Sequence, residues 1–370
     1  MVKMKYLIVL MKWLKLIGFL SVLYAINKTF FSALVNPLQL VKLPPRIDLE
    51  AIRQDFPHLS INFADEKTDK NRNLITVTVK HPHSCGTILV CNGQSATIRE
   101  DIKIRSYCKI AAETGYNVLG FDYAGTGNRK ITSWSYRDLV HDGVFLAQKI
   151  TKELSGSESL IIKGNSLGGA IAILVTKFCH DIGILAYLWS GKSFASTSSV
   201  LTGQLRTLKK SGHYETPTTI VISNMAKPLF SGMLLAANFE MDIASAYQSI
   251  PDNYKNYFVI RSARMDRANK KDDAMIPYCA SLEGNAEIKL AAKLSIKNEN
   301  KNDPQKIDYY RARRKCFAES AENAHGFPDE ELFCRTLPNL TVNQLFCLFA
   351  TQYIPSHKTS LCEDAQNLKL

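Results

Sequence analysis

Apolar and polar residues follow two distinct patterns between residues 59 and 163. Residues Leu59–Ala64 and Leu74–Lys80 alternate apolar and polar side chains, as half-exposed strands do. Three short apolar runs, Thr87–Cys91, Asn117–Asp122 and Ser159–Lys163, are typical of strands buried on both faces. The chain therefore predicts a sheet with buried parallel strands at its centre.

Helices are predicted between these strands. Thr97 with Glu100, and Ser135 with Asp138, have the spacing of capping boxes, and each pair is predicted to open a helix. Strands and helices that alternate at this spacing imply right-handed crossovers. The expected fold class is α/β, with a mostly parallel central sheet covered by helices on both faces.

The chain after about residue 184 does not keep this regular alternation of strands and helices. Ile184–Trp189 and Tyr257–Ser262 read as further strands, whereas residues 193–247 mix Ser/Thr-rich and apolar segments. We interpret residues 193–247 as a cap inserted over the sheet. Asp329–Thr336 is predicted to be helical.

The N-terminal residues 1–36 form a hydrophobic, basic segment that differs from the rest of the chain. Its uninterrupted apolar part, Leu16–Ile26, is shorter than the roughly 20 residues that span a bilayer. A signal peptide, an uncleaved anchor with snorkelling lysines, an interfacial helix and a core-packing helix are all open. Because no A-x-A-like cleavage site follows, we expect retention and contact with a membrane surface.

A proline-containing linker is predicted at residues 37–45, because Pro44-Pro45 interrupts regular structure. The α/β domain is then expected to occupy residues 46–355, followed by a polar tail at residues 356–370.

Composition limits the class of protein. The 370 residues include 46% apolar residues, enough for a large core, and the formal net charge is +12. The basic residues are scattered among acidic ones and no nucleic-acid-binding motif is present, so we expect no nucleic-acid partner. The nine cysteines lack zinc-site spacing, which favours reduced thiols and no metal site.

The strongest chemical signal is the pentapeptide G-x-S-x-G at residues 164–168. It lies directly after the apolar run Ser159–Lys163 and directly before the small-residue segment Gly169–Phe178. A nucleophile elbow requires this context, because a tight strand-to-helix turn lifts the serine above the sheet. Ser166 is therefore the candidate nucleophile.

Three motifs together resemble the α/β-hydrolase superfamily. They are Cys91–Gly93, the turn Asp122–Gly127, which is similar to the D-x-R-G-x-G turn of that superfamily, and Gly164–Gly169. The likeness covers roughly Leu59–Pro328. It implies an α/β-hydrolase fold with an inserted cap and a serine hydrolase that needs no cofactor.

A histidine base is expected near the C-terminal end of such a domain. Only His325 and His357 follow residue 213, and His325 precedes a glycine in a loop, whereas His357 lies in the polar tail. We predict that His325 is the general base.

The third triad member is expected in the loop after Tyr257–Ser262. Asp273 begins the sequence Asp-Ala-Met-Ile-Pro, similar to the D-x-x-V-P element of the superfamily, and ranks first. Asp266 and Asp272 stay open as alternative acids.

Two backbone N–H groups are expected to form the oxyanion hole, those of Leu167 and Gln94. The turn Asn92-Gly93-Gln94 takes the place of the His-Gly-x element, and Asn92 in place of histidine departs from the commoner pattern.

The expected activity is cleavage of an acyl ester of lipid character through an acyl-enzyme. The alternative is a catalytically weak or inactive effector or binding protein of the same fold, tethered to a membrane. The Asn-Gly turn, the segment Tyr136–Leu139 and the hydrophobic N-terminus also resemble uncharacterised hydrolases of intracellular bacteria such as chlamydiae and legionellae. That narrower resemblance implies a membrane-associated or secreted bacterial protein.

Overall fold

The computed structural model of the chain describes ten segments, residues 47–69, 72–93, 97–123, 135–155, 158–207, 217–262, 276–290, 315–320, 329–334 and 339–352. The predicted membrane segment 1–36, the linker 37–45 and the tail 356–370 lie outside the described residues.

In the described part of the chain, nine strands form one sheet in the order β1-β2-β4-β3-β5-β6-β7-β8-β9. The strands are β1 (Ser60–Lys67), β2 (Asn73–Lys80), β3 (Gly86–Cys91), β4 (Asn117–Phe121), β5 (Ser159–Asn165), β6 (Ala186–Gly191), β7 (Lys255–Ser262), β8 (Lys315–Ser320) and β9 (Phe333–Cys334). Strands β3 to β8 are parallel to one another, and β2, at one end, and β9, at the other, pair with them antiparallel. The predicted mostly parallel sheet is confirmed.

Residues 286–290 are helical, and eight further α-helices surround this sheet in the described residues. They are α1 (Leu49–Asp55), α2 (Asp101–Thr114), α3 (Tyr136–Glu153), α4 (Leu167–Asp181), α5 (Thr197–Thr207), α6 (Pro217–Ala236), α7 (Ile243–Ser249) and α8 (Val342–Gln352).

The central strands bury both of their faces. In β5, Ile161 and Ile162 are fully buried, yet they belong to two separate hydrophobic clusters. Successive strand residues point to opposite faces, so one cluster lies on each side of the sheet. Helices α3, α4 and α7 contribute to one cluster, and α1, α2 and α8 contribute to the other. This double layer explains why the β5 sequence is a continuous apolar run and does not alternate.

One predicted capping box opens a helix where predicted, and the other is formed only in part. Ser135 and Asp138 form the predicted box at the start of α3. The Thr97 N–H donates to Oε1 of Glu100 at 3.4 Å, as in a capping box, but helix α2 begins only at Asp101 and has no side-chain cap. The hydroxyl of Thr97 accepts from the N–H of Arg99 at 3.3 Å and donates to the buried carboxylate of Asp122 at 3.0 Å, so it ties the residues before the helix to the end of β4.

The predicted helix Asp329–Thr336 is also wrong. The chain turns at residues 329–330 and then forms the short strand β9, which pairs antiparallel with β8. Leu332 and Cys334 are buried, while Phe333 between them is half exposed. This alternation has the period of a strand, and pairing with β8 overrides the local helical preference.

Between β6 and β7 the chain forms α5, α6 and α7. Helix α6 exposes large apolar side chains, among them Met225, Leu229 and Leu235, of which Met225 is 74% exposed. Residues Ile220–Ala237 are long and apolar enough to cross a membrane, by length and composition only.

Candidate active site

Ser166 occupies a strained turn between β5 and α4. Its backbone has φ 58° and ψ −125°, outside the region that non-glycine residues normally adopt. The turn is fixed by backbone hydrogen bonds, because the N–H of Ser166 donates to the carbonyl of Gly191 at 2.8 Å and the N–H of Ala170 donates to the carbonyl of Ser166 at 3.1 Å. Strain of this kind concentrates at functional sites and is the geometry of a nucleophile elbow.

Two glycines allow strand, helix and neighbouring loop to meet at this turn. A Cβ atom on Gly164 would lie 2.2 Å from the carbonyl oxygen of Gly168. A Cβ atom on Gly168 would lie 2.1 Å from the carbonyl oxygen of Cys91. Both separations are far below contact distance, so any side chain here would push backbone away from backbone. The G-x-S-x-G spacing is therefore a requirement of packing at this turn.

The loop after β3 lies directly against the first turn of α4. Asn92 in this loop is buried, its Nδ2 donates to the carbonyl of Phe121 at 3.0 Å, and its Oδ1 accepts from the hydroxyl of Tyr107 at 2.7 Å. Asn92 thus holds the loop after β3 against β4 and α2. The asparagine that departs from the His-Gly-x pattern has a structural role at this position.

Two titratable groups next to this loop stay protonated at neutral pH. Burial raises the pKa of the Cys91 thiol well above its usual range, although a hydrogen bond with Tyr123 opposes the shift. Burial and the nearby charge of Asp122 likewise raise the pKa of Tyr107. A thiol that is not ionised is a weak nucleophile, so burial makes Cys91 a poor candidate nucleophile.

A group of buried polar side chains lies beside the elbow, and we call it the elbow cluster: Lys163, Asn165, Lys192 and Asp329. The Nζ of Lys163 donates to Oδ2 of Asp329 at 2.7 Å, and Nδ2 of Asn165 donates to Oδ1 at 2.9 Å. The Nζ of Lys192 lies 3.8 Å from the same Oδ1.

Charge determines the protonation state of Asp329. Burial alone would raise the pKa of this carboxyl. The two lysines and the hydrogen bonds from Lys163 and Asn165 outweigh burial and hold the pKa below its usual value. Asp329 is therefore ionised at neutral pH.

The structure describes Ser166 and Leu167 among the predicted site residues. Leu167 is the first residue of α4, where backbone N–H groups have no acceptor within the helix. The predicted base His325, the candidate acids Asp266, Asp272 and Asp273, and the oxyanion residue Gln94 lie outside the described residues.

Sequence analysis missed the elbow cluster. Lys163 ends an otherwise apolar run, and a lysine in a buried strand needs a partner. That signal identifies Lys163 but not Asp329, which is 166 residues away in the chain. In the described residues, no group of three or more His, Cys, Asp and Glu side chains could hold a metal ion.

Curated relatives match a short stretch of the chain. The lysophosphatidylserine lipase ABHD12 of Danio rerio is 38% identical over 93 residues, which cover 25% of this chain and 24% of the relative. The lysophosphatidylserine lipase ABHD12 of Gallus gallus is 34% identical over 94 residues, with the same coverage. The match thus spans about a quarter of the length of these relatives. No family model matches the chain.

Solved esterase structures resemble the chain distantly. An esterase of Pyrococcus furiosus has 15% identity and a TM-score of 0.44, and covers 79% of this chain and 93% of its own. An esterase of Pyrobaculum calidifontis has 12% identity and a TM-score of 0.44, and covers 76% of this chain and 86% of its own. The geometry of the chain itself shows that this protein has the α/β-hydrolase fold, through the strand order, the parallel central strands and the strained serine between β5 and α4.

Proposed function

We propose that this protein is a serine hydrolase that cleaves acyl esters, with Ser166 as the nucleophile. The observation that carries this proposal is the backbone of Ser166, which is held at φ 58° between a buried strand and a helix. A serine gains little from such strain unless its hydroxyl must project above the sheet.

The reaction follows from the roles of the residues. The Ser166 hydroxyl oxygen attacks the acyl carbon, and its proton passes to Nε2 of His325. The C–O bond of the ester then breaks, and the leaving alkoxide takes that proton to depart as an alcohol. Water attacks the acyl-enzyme in the second half, transfers a proton to His325, and releases the carboxylic acid while Ser166 regains its proton. No metal or organic cofactor takes part in these steps.

Chain connectivity supports His325 as the base. Asp329 is hydrogen-bonded to Asn165, the residue that precedes Ser166. His325 lies four residues before Asp329, and four extended residues span at most about 14 Å. The connection thus limits how far His325 can lie from the elbow.

The acid is proposed to lie between β7 and Ile276. Strands β5, β6 and β7 are parallel neighbours, so the chain leaves β7 at the same sheet edge as the elbow. Asp266, Asp272 and Asp273 all follow that exit, and Asp273 is the first choice. Its carboxylate would accept from Nδ1–H of His325 and stabilise the imidazolium.

The oxyanion is proposed to accept hydrogen bonds from the N–H groups of Leu167 and Gln94. The close approach of Gly168 to Cys91 supports this pairing, because it brings the start of α4 against the loop that leads to Gln94. Donors fixed in this way stabilise the charge that develops on the carbonyl oxygen.

The substrate class is proposed to be a lipid-like acyl ester, and the partner a membrane surface contacted through residues 1–36. The relatives named as lysophosphatidylserine lipases support an ester with a fatty acyl chain. The exposed apolar side chains of α6 support contact with lipid. Removal of residues 1–45 is expected to weaken flotation with anionic vesicles, with α6 as the remaining apolar surface, and to leave hydrolysis of a short soluble ester intact. A truncated protein that floats with vesicles as well as the full chain does would contradict this role of residues 1–36.

Turnover by matched histidine variants tests the function. The full chain in detergent is expected to hydrolyse p-nitrophenyl acetate, p-nitrophenyl decanoate and lysophosphatidylserine, with preference for the long acyl chains. His325→Ala is expected to lower kcat on the order of 10⁴-fold, as loss of a triad member does. His357→Ala is the matched control and should keep the wild-type rate. Equal rates for both variants would refute the proposed base.

A further inference from the structure

The carboxylate of Asp329 is bonded to two residues that flank Gly164 at the elbow. Lys163 and Asn165 are two positions apart in β5, so their side chains point to the same face of the sheet. Each bonds a different oxygen of Asp329, at 2.7 Å and 2.9 Å. A carboxylate held through both oxygens has a fixed orientation as well as a fixed position.

Neighbouring elements hold the two lysines in place. Lys192 follows β6, its φ is 50°, and its N–H donates to the carbonyl of Phe258 in β7 at 2.9 Å. The Nζ of Lys163 lies 4.7 Å from the centre of the Phe346 ring of α8. Asp329 therefore connects the ends of β5 and β6 to the segment that leads into β9.

We propose that Asp329, with Lys163, is a positioning residue that fixes where His325 lies relative to Ser166. This inference rests on the proposed function. Its bonds to Lys163 and Asn165 fix the residues immediately before Ser166. They also fix the point, four residues after His325, at which the chain meets the sheet. The cluster acts through Ser166 and His325 and does not itself touch the substrate.

Stability alone does not account for this cluster. Replacement of a buried ion pair by apolar groups is often neutral or stabilising, because desolvation offsets the attraction of the charges. A chain selected only for stability could use apolar side chains at Lys163 and Asp329. Hydrogen bonds differ from apolar contacts in that they specify direction, and catalysis is sensitive to displacements of about 1 Å.

Paired variants separate positioning from stability. Asp329→Ala with Lys163→Met removes one buried charge of each sign, so the net charge of the cluster does not change. The matched control is Asp142→Ala with Arg72→Met, which removes a buried pair of similar geometry, 2.9 Å between Nη2 and Oδ1, that joins the start of β2 to α3. The elbow variant is expected to lose 10- to 100-fold in kcat, on the order of what a misplaced catalytic group costs, with little change in KM. The control is expected to keep the wild-type kcat.

The same substitutions in a His325→Ala background give the second readout. In that background the loss of Asp329 and Lys163 should cause no further fall in kcat, because His325, the group that they are proposed to position, is absent. Should the double elbow variant fail to fold, Asn165→Ala replaces it, because it removes one of the two bonds to Asp329 and leaves no buried charge unpaired; the expected direction is the same and the loss smaller.

Three results would overturn the positioning role. They are a wild-type kcat in the elbow variant, a loss equal to that of the control, or an undiminished loss in the His325→Ala background. If Ser166→Ala and His325→Ala themselves retain activity, the proposed function fails instead. The two failures are therefore distinguishable.

Discussion

Two clusters of buried charge differ in what they contact. The elbow cluster joins the ends of β5 and β6 to a residue 166 positions away from Lys163, directly beside Ser166. The second, which we call the α3 cluster, consists of Arg72, Asp138, His141 and Asp142. It joins the start of β2 to the first turns of α3, with Arg72 bonded to Asp138 at 3.2 Å and to Asp142 at 2.9 Å.

Both clusters contain a carboxylate that is almost inaccessible to solvent, and both join elements far apart in the chain. Their energetic roles in the fold should therefore be similar. Only the elbow cluster touches residues that precede the strained serine. The comparison teaches that burial and ion pairing do not by themselves indicate function, and that the contacts of the cluster decide it.

The largest expected difference concerns the serines of the two regions. Ser166→Ala removes the proposed nucleophile and is expected to lower kcat for a p-nitrophenyl ester on the order of 10⁴-fold or more. Ser135→Ala removes the cap of α3 and should leave kcat unchanged while it costs about 1 kcal/mol of stability. Steady-state kinetics and thermal unfolding measure both effects. A large loss of activity in Ser135→Ala would contradict the proposal that the two regions differ in their role in catalysis.

Loss of the carboxylate charge from each buried pair is expected to destabilise both regions, the elbow cluster more. Asp329→Asn leaves the buried Lys163 ammonium without its carboxylate, whereas in Asp142→Asn Arg72 keeps Asp138 at 3.2 Å. Asp329→Asn is expected to lower the free energy of unfolding by about 3–5 kcal/mol, because a buried charge loses its partner, and Asp142→Asn by less. Urea unfolding at neutral pH measures the losses. A loss below about 1 kcal/mol at Asp329 would show that solvent reaches this pair.

Acid should remove part of the contribution of Asp329. Its pKa is lower in the folded state than in the unfolded chain, so its stabilisation is complete above the unfolded pKa of about 4 and is lost as the pH falls through the folded value. The difference in unfolding free energy between the wild type and Asp329→Asn should therefore shrink below about pH 4. A difference in unfolding free energy that stays constant from neutral pH down to pH 2 would contradict this prediction.

The smallest expected difference between the two regions is in the stability cost of replacing a glycine. A Cβ on Gly168 would meet backbone carbonyl oxygens of Cys91 and Asn92, whereas a Cβ on Gly143 of α3 would meet a methyl group of Val175. Side chains adjust more easily than backbone, and alanine gains about 1 kcal/mol of helix propensity over glycine. Gly168→Ala is expected to cost about 1–3 kcal/mol and to slow the reaction, and Gly143→Ala to cost less. A smaller loss of stability in Gly168→Ala than in Gly143→Ala would contradict the packing described for the elbow.

Local patterns in the sequence predicted the centre of the fold. The run Ser159–Lys163 and the glycines after it were sufficient because a buried strand and a tight turn each have a short-range signature. The capping box at Ser135 was predicted for the same reason. Each of these features depends on residues within a few positions of one another.

Features that depend on distant partners could not be predicted. Thr97 has the spacing of a cap, but its hydroxyl donates to the distant Asp122, and the helix begins only at Asp101. Residues after Asp329 suit a helix, but pairing with β8 makes them a strand. The elbow cluster is the clearest example, since nothing near Lys163 in the sequence identifies Asp329. The roles of His325, Gln94 and the candidate acids stay predictions.

Labelling with a fluorophosphonate, followed by mass spectrometry of the modified peptide, tests the nucleophile most directly. The reagent phosphonylates an activated serine, and the adduct is expected on Ser166 of the folded full chain. Labelling should disappear in Ser166→Ala, persist in Ser135→Ala and become much slower in His325→Ala. An adduct on a different residue, or no adduct on folded protein that the probe can reach, would contradict the assignment of Ser166 as the nucleophile.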